Sequence, residues 1–487
     1  MYLYERLADE IATAISSGLL QPGSRIPSVR DYASSHQVSI NSVKSAYRIL
    51  EDRGLITPRP QSGYFVNADL PELALLPREF SAREDISLTG VSKLLALILE
   101  SQRNSEFTDL AMACPTGSTF YPTERLKKVT MQVLRGSKTS RDVYAMPPGS
   151  KRLRSQIARR GLALGMMLSD EDIIITHGTM EALSLAVRAS TRAGDTVALE
   201  TPTFYNLYPM LKDMGRHIVS IPTNPHSGMC IETLEAMAAR GDVSAVITIP
   251  SGHNPLGFTM PEENRRALAR IARDYKIAVI EDAMYAELQF GARMVPNVKA
   301  FDEGGWVLTC ASYTKTATPD FRLGWLEAGR FREVAAQMKF STTVAEPEFL
   351  CETLGIFLEN GSYDHHLRHL RRLYDRHIDV IRGCIATCFP EGTRVSRPQA
   401  GFILWIEFPA SVDTLELFHS ALEEKVICMP GIVCAGNRSF NNCLRLAVCF
   451  ELSEKHLKAL RTLGRLAGSQ IEVKKTGFNV RLVRSGH

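Results

Sequence analysis

Lys315 closes the string S-Y-T-K just beyond an apolar run, and of all residues in this 487-residue chain its placement says most about chemistry. A lysine desolvated at such a strand end has a lowered pKa and can form a Schiff base with an aldehyde. Arg322, seven residues later and just before L-G-W, can pair with a phosphate. Asp282 ends another apolar run in E-D-A-M-Y, with Tyr285 three residues on. A carboxylate there can hold a pyridine nitrogen protonated, which makes the ring an electron sink. Upstream, H-N-P-L-G puts the amide donor Asn254 at a third strand end, and P-T-F offers Phe204 to stack on a planar ring. Gly178, Thr179 and Met180 open a helix whose first backbone N–H groups suit a phosphate. Taken singly, each of these is a turn, a core aromatic or a helix start. In their order along the chain they make one chemical set.

The elements that must position this set can be read from hydrophobic periodicity. Runs at 173–176, 196–200, 245–250, 277–281 and 307–311 are apolar and β-rich, and each is followed by a polar or glycine-containing cluster. They alternate with helical stretches, which predicts an α/β domain with a mostly parallel sheet and helices on both faces. Ligands in such sheets gather beyond the carboxyl ends of the strands, so the clusters should converge.

The first 66 residues predict a different object. Leu3, Leu7, Ile11 and Ile15 make one helical stripe that Gly18 and Pro22-Gly23 end. Ser28 with Asp31 reads as a capping box for a short helix reaching about His36. Ser39 caps a third helix with Val43, Tyr47 and Leu50 inward, stopped by Gly54. Residues 55–57 and 64–66 make a small hairpin around P-R-P-Q-S-G. Helix, short helix, turn, helix and wing is a winged helix-turn-helix, whose third helix fits the major groove of double-stranded DNA. Asn41, Ser42 and Lys44 lie on its leading face, Arg30 starts the preceding helix, and Arg59 sits on the wing. A small helical dimerisation module is the plainer reading of the same pattern.

Composition sets the remaining bounds. The formal net charge is +4, and the first 66 residues carry 7 Lys/Arg against 6 Asp/Glu, so a DNA-binding claim rests on placement rather than bulk charge. Ten scattered cysteines, the closest pair being Cys384 and Cys388, read as reduced thiols without a metal-ligand spacing. The start MYLYERLADE lacks a signal-peptide pattern and no apolar run suffices for a bilayer, which predicts a cytoplasmic protein without a membrane partner. Residues 67–105 read as a linker with one amphipathic helix whose inward face is Leu94, Leu95, Leu97 and Ile98, followed by a body at 106–467 and a loose basic tail at 468–487.

Two resemblances add to this reading. The strings G-L-L-Q-P-G-S-R-I-P-S-V-R, V-S-I-N-S-V-K-S-A-Y and R-G-L-I…S-G-Y-F-V resemble the GntR family of bacterial regulators. That implies DNA contacts from Arg30, Ser39, Lys44 and the wing near Ser62 and Gly63. The family usually has Arg where this chain has Ile40, which can pack on a thymine methyl but cannot pair with guanine. From A-C-P-T to about residue 465 the chain is similar to fold-type I aminotransferases, through V-Y-A-M-P-P-G-S-K-R-L-R, P-Q-A-G-F-I-L-W, M-P-G-I-V and L-R-L-A. This implies a smaller C-terminal α+β subdomain and pyridoxal 5'-phosphate as cofactor. It also implies roles: Lys315 as the Schiff-base lysine, Asp282 on the pyridine nitrogen, Asn254 and Tyr285 on the ring hydroxyl, and Phe204 on the ring face. Gly178, Thr179, Met180, Ser312, Thr314 and Arg322 would hold the phosphate, Tyr144 would reach the partner subunit's phosphate, and Arg445 would bind an α-carboxylate. Thr314 stands where Ser is frequent and Cys114 where Gly is frequent. The fusion resembles the MocR-type regulators. It implies a head-to-tail homodimer that binds an operator and answers to pyridoxal phosphate or to a small amine or amino-acid effector. The alternative is an amino-acid aminotransferase with an auxiliary DNA-binding head, and a third reading is a DNA-binding protein that does not use the cofactor.

Overall fold

The computed structural model describes residues 3–16, 20, 23–52, 55–59, 62–67, 88–136, 144–291, 293–435 and 438–484. They form two compact units, Met1–Leu75 with Asp379–Cys388, and Leu76–Ile378 with Phe389–His487.

The first unit contains α1 (Leu3–Ser16), α2 (Val29–Ser35), α3 (Ile40–Asp52) and an antiparallel hairpin of β1 (Ile56–Arg59) and β2 (Gly63–Val66). Leu7, Ile11 and Ile15 of the predicted stripe are buried with Val43, Tyr47 and Leu50, whereas Leu3, in the first turn, is 40% exposed. Ser28 and Ser39 both cap their helices, but the capping box expected at Ser28 does not close, because the Asp31 carboxylate takes the Ser28 hydroxyl rather than the Ser28 backbone N–H. Ser28 Oγ accepts the Asp31 N–H at 3.2 Å and donates to Asp31 Oδ2 at 2.6 Å. Ser39 Oγ accepts the Ser42 N–H at 3.1 Å, satisfying a first-turn donor that the helix itself leaves open. Gly18, Pro22 and Gly54, the predicted helix stops, lie outside the described residues. The linker helix is α4 (Leu88–Ser101). Its buried line is Leu94 and Ile98, one turn apart, while Leu97 is exposed, so the inward face is narrower than its composition suggested.

The second unit is built on an eight-stranded sheet. After a short β3 (Thr108–Asp109) come β4 (Ile173–Thr176), β5 (Thr196–Thr201), β6 (His217–Asn224), β7 (Gly228–Met229), β8 (Ala245–Thr248), β9 (Ala278–Asp282), β10 (Val307–Ser312) and β11 (Gly324–Glu327). Their order across the sheet is β4-β11-β10-β9-β8-β5-β6-β7. All five predicted strands are present. Neighbours in the run β6, β5, β8, β9, β10 are parallel. The sequence reading lacked β6 and β7 at one edge and β11, which inserts antiparallel between β4 and β10. Strands β4, β8, β9, β10 and β11 are buried at every position, the mark of a sheet covered on both faces.

The smaller C-terminal sheet runs β12-β13-β16-β15, with β12 (Arg394–Val395), β13 (Ile403–Glu407), β14 (Val426–Ile427), β15 (Met429–Pro430) and β16 (Cys443–Ala447). Strand β14 instead pairs with β3 in parallel, which ties the start of this unit to its end. The tail expected to be loose is helical as far as Arg484, because it continues the helix Glu454–Arg484. Ala459, Leu460, Leu463 and Ala467 anchor that helix by burial.

Candidate functional site

The carboxyl ends of β4, β5, β8, β9 and β10 bring the predicted set together. Phe204, Asn254, Asp282, Tyr285, Lys315 and Arg445 line a single cavity of about 170 Å³. Asp282 is the last residue of β9 and is 6% exposed. Its Oδ1 accepts the Met284 N–H at 3.1 Å, yet burial still pushes its pKa up to about 7, with a smaller contribution from neighbouring Glu281. A carboxyl group in that state is short of a cation. Lys315 lies just past β10 and its pKa is lowered, first by burial and then by the nearby Arg322 and Arg445 guanidinium groups, against an opposing influence from the Cys114 and Cys449 thiols. An amine with a depressed pKa keeps more of its nucleophilic free-base form at neutral pH. Burial raises the Tyr285 pKa well above the ordinary phenol range, and its ring meets Phe402 edge-on at 5.2 Å.

Two buried polar atoms in this cavity, Asn254 Oδ1 and Arg445 Nε, have no hydrogen-bond partner among the described residues. Such groups cost about 1–3 kcal/mol each unless something binds them. Arg445 sits on β16 opposite Trp405 and Met429, is 1% exposed, and donates through Nη2 to the Ala111 carbonyl. A guanidinium held so deeply suits a carboxylate.

The remaining cofactor candidates form a cup beside the cavity. Gly178 has φ +76° and begins the helix Thr179–Ser190. A Cβ on Gly178 would lie 3.0 Å from Arg322 Nη2, so the guanidinium rests directly on the loop. Ser312 Oγ is 2.8 Å from Thr314 Oγ1 and 3.4 Å from Met284 Sδ, and Thr179 Oγ1 is 3.9 Å from the same sulfur. Met180 contributes only backbone here, since its side chain packs against the hydrophobic core. The cup is braced from behind. Glu181 accepts the His177 N–H at 2.5 Å and the Lys339 ammonium at 2.8 Å, and Lys339 is itself buried. An open helix start with a guanidinium and three hydroxyls can hold a phosphate dianion.

Sequence reasoning missed several residues of this site. Met112, Cys114, Tyr205 and Met284 line the cavity from loops, where no periodicity marks them. Gly324, seen only as part of L-G-W, has a recognisable signal in hindsight. A Cβ there would lie 2.7 Å from the Ala311 carbonyl oxygen and 2.7 Å from the Gly178 carbonyl carbon, so glycine lets β11 pass against the cup. Tyr144 does not join the cavity within its own chain and is 75% exposed.

In the first unit, Arg30, Ser39, Asn41 and Lys44 are exposed and Ser42 is half-buried; Ile40, at the start of α3, is 46% exposed. Exposed Ser62 precedes Gly63, whose φ is +99°. Arg59 lies over the Phe65 ring, its guanidinium carbon 4.4 Å from the ring centre. Arg25, absent from the sequence reading, bridges to Phe65 and lays its guanidinium against Gly63, adding a cation to the wing.

A recognition-helix unit joined to a strand-end site of this composition defines a class: a winged-helix regulator with an aminotransferase-like body. Comparison with known proteins agrees. Residues 109–462 match the family of class I and II aminotransferases, and residues 3–66 match the gntR family of bacterial regulatory proteins. The HTH-type transcriptional regulator YjiR of Escherichia coli is 32% identical over 95% of this chain and 98% of its own length. The regulator YdcR of the same species is 30% identical over 96% of this chain and 99% of its own. Among solved structures, the multiple substrate aminotransferase of Thermococcus profundus superposes with a TM-score of 0.72, at 26% identity over 78% of this chain and 95% of that one. The chain belongs to the class I and II aminotransferase family and, through its gntR-family head, to the MocR-type transcriptional regulators. Among the described residues no helix is long and apolar enough to cross a membrane.

Proposed function

We propose that this DNA-binding regulator senses pyridoxal 5'-phosphate at Lys315 and, through it, a small amine or amino acid. The observation that carries the reading is the convergence of Lys315, Asp282, Asn254 and Arg445 on one cavity that leaves buried polar atoms without partners. The donor set fits the cofactor. Asp282 would hold the ring nitrogen, Asn254 and Tyr285 the ring oxygen, and Phe204 the ring face. Gly178, Thr179, Met180, Ser312, Thr314 and Arg322 would hold the phosphate. When bound, the cofactor supplies an aldehyde carbon for an amine and a ring that withdraws electrons from it. Lys315 provides the amine, and burial lowers its pKa. Arg445 would bind the carboxylate of an incoming amino acid and orient its amine toward the same carbon.

The regulatory step is a population shift. Covalent occupancy at Lys315 favours one arrangement of the two units, and an effector competing with the Lys315 amine favours another. The protein works as a head-to-tail homodimer, in which exposed Tyr144 reaches the partner subunit's cup. Exposed Met112 and Met146 support such an interface. The DNA-facing set is Arg30, Ser39, Asn41, Ser42, Lys44, Arg59, Ser62 and Gly63. The test is a binding titration on DNA upstream of its own gene and neighbouring genes, at fixed salt, with and without pyridoxal phosphate. Specific binding that changes with the cofactor, and no longer does so in Lys315→Ala, is expected. Specific binding indifferent to the cofactor in both proteins would overturn the sensing mechanism. Sustained amino-acid turnover without specific DNA binding would favour the enzyme reading.

A further inference from the structure

Glu200 and His253 form a buried pair that none of the roles above uses. Both are 0% exposed, and His253 Nε2 lies 3.2 Å from Glu200 Oε2. Glu200 belongs to the end of β5, while His253 directly precedes Asn254 in the loop after β8. Glu200 Oε2 also accepts the Ile249 N–H at 2.8 Å, so one carboxyl group grips the loop at two points. The imidazole tautomer follows from its other nitrogen. Nδ1 accepts the Leu256 N–H at 3.2 Å, which leaves the proton of a neutral ring on Nε2, the nitrogen nearest Glu200. The ring stacks on Phe258 at 4.5 Å, and the His253 backbone bonds both ways across the turn, donating to Phe258 O at 2.9 Å and accepting from Gly257 N at 2.6 Å. His253 thus holds the turn through its backbone and Nδ1, while Nε2 stands 3.2 Å from Glu200 Oε2 without the alignment of a hydrogen bond, and the next side chain is Asn254, which lines the cavity.

We infer that Glu200 and His253 are positioning residues that hold the Asn254 amide at the ring oxygen of the bound cofactor. The inference rests on the cofactor reading of the cavity. Arg265, wholly buried, also braces this loop through the Pro250 carbonyl at 2.6 Å and Ser251 Oγ at 3.0 Å. The loop therefore keeps its path without His253, and what is lost is the aim of Asn254. A small misplacement suffices, since hydrogen bonds weaken steeply with distance and angle.

The test is the pH midpoint of the visible absorption change in the full-length protein loaded with pyridoxal phosphate. An amide donor on the ring oxygen favours its deprotonated form. Asn254→Ala should therefore raise the midpoint by about one pH unit, a tenfold change in proton affinity. His253→Leu should raise it in the same direction, and the double variant should shift no further than Asn254→Ala alone. His253→Gln, whose amide can accept from Leu256 and donate to Glu200, should restore most of the difference. Glu200→Leu, which removes the acceptor, carries the same test should His253→Leu fail to fold. Shifts that add in the double variant, or a His253→Leu midpoint equal to the parent's, would overturn the positioning role while leaving the cofactor reading intact. A parent protein that gains no visible band with pyridoxal phosphate would overturn both.

Discussion

Asp282→Asn should stabilise the cofactor-free protein and cripple the cofactor-loaded one. The buried carboxyl titrates at about 7 in the fold against 3.8 unperturbed. Because the folded group binds its proton more tightly than the unfolded one, stability falls as pH rises from about 4 to about 7, and the penalty is constant above that. A shift of about three units, at roughly 1.4 kcal/mol each, costs about 4 kcal/mol at pH 8. Asparagine removes the charge and keeps an oxygen for the Met284 N–H. Its new amide N–H groups are buried, which returns about 1–3 kcal/mol of that gain. The net stabilisation at pH 8 is about 2 kcal/mol, and at pH 5, where the ionisation penalty is itself below about 2 kcal/mol, it vanishes. Urea denaturation of the cofactor-free parent and variant at both pH values reads this directly. Binding of pyridoxal phosphate should reverse the ranking, because removing one partner of a buried ion pair costs about 3–5 kcal/mol, a hundredfold or more in affinity. A cofactor-free variant no more stable than the parent at pH 8 would refute the claim that Asp282 is a carboxyl group held short of a cation.

Three further outcomes follow from the same geometry. Gly324→Ala places a methyl group 2.7 Å from two backbone atoms, one of them in the phosphate cup, and should abolish the visible band of the loaded protein while far-ultraviolet dichroism is retained. Lys44→Ala removes an exposed cation from α3. It should weaken DNA binding across sequences and lower the slope of log affinity against log salt by about one, whereas an unchanged slope would take Lys44 off the phosphates. Ile40→Arg supplies the bidentate donor that this recognition helix lacks. It should shift preference toward a guanine-containing site by about 1–3 kcal/mol in a competition assay, and no change would place position 40 away from the bases.

The legible part of this protein is the part written in local pattern. Five strands could be read because each is a continuous apolar run, as a strand buried on both faces must be. The caps at Ser28 and Ser39 could be read because a hydroxyl answers an N–H three residues away. The chemistry was legible because Asn254, Asp282 and Lys315 lie at the carboxyl ends of their strands or in the loops just beyond them, and strand ends in a parallel sheet converge. What depended on distant partners was not legible. Strand β11 is four residues long and acquires its place only by pairing antiparallel with both β4 and β10. Leu97 has the hydrophobicity of a core residue and is exposed, since packing rather than composition selects the inward line of a helix.

The sequence by itself determined which reacting groups exist, their order, and the two kinds of unit that carry them, because propensity, capping and hydrophobic period act over a few residues. The tertiary structure alone decided that Arg445, 130 residues beyond Lys315, shares its cavity. It also decided that Glu200 faces His253, and that Asp282 is buried deeply enough to titrate near neutrality. Desolvation and Coulomb interaction depend on distance and dielectric, not on separation along the chain. A residue's type names the reaction open to it, and the packing around that residue sets the protonation state in which it performs it.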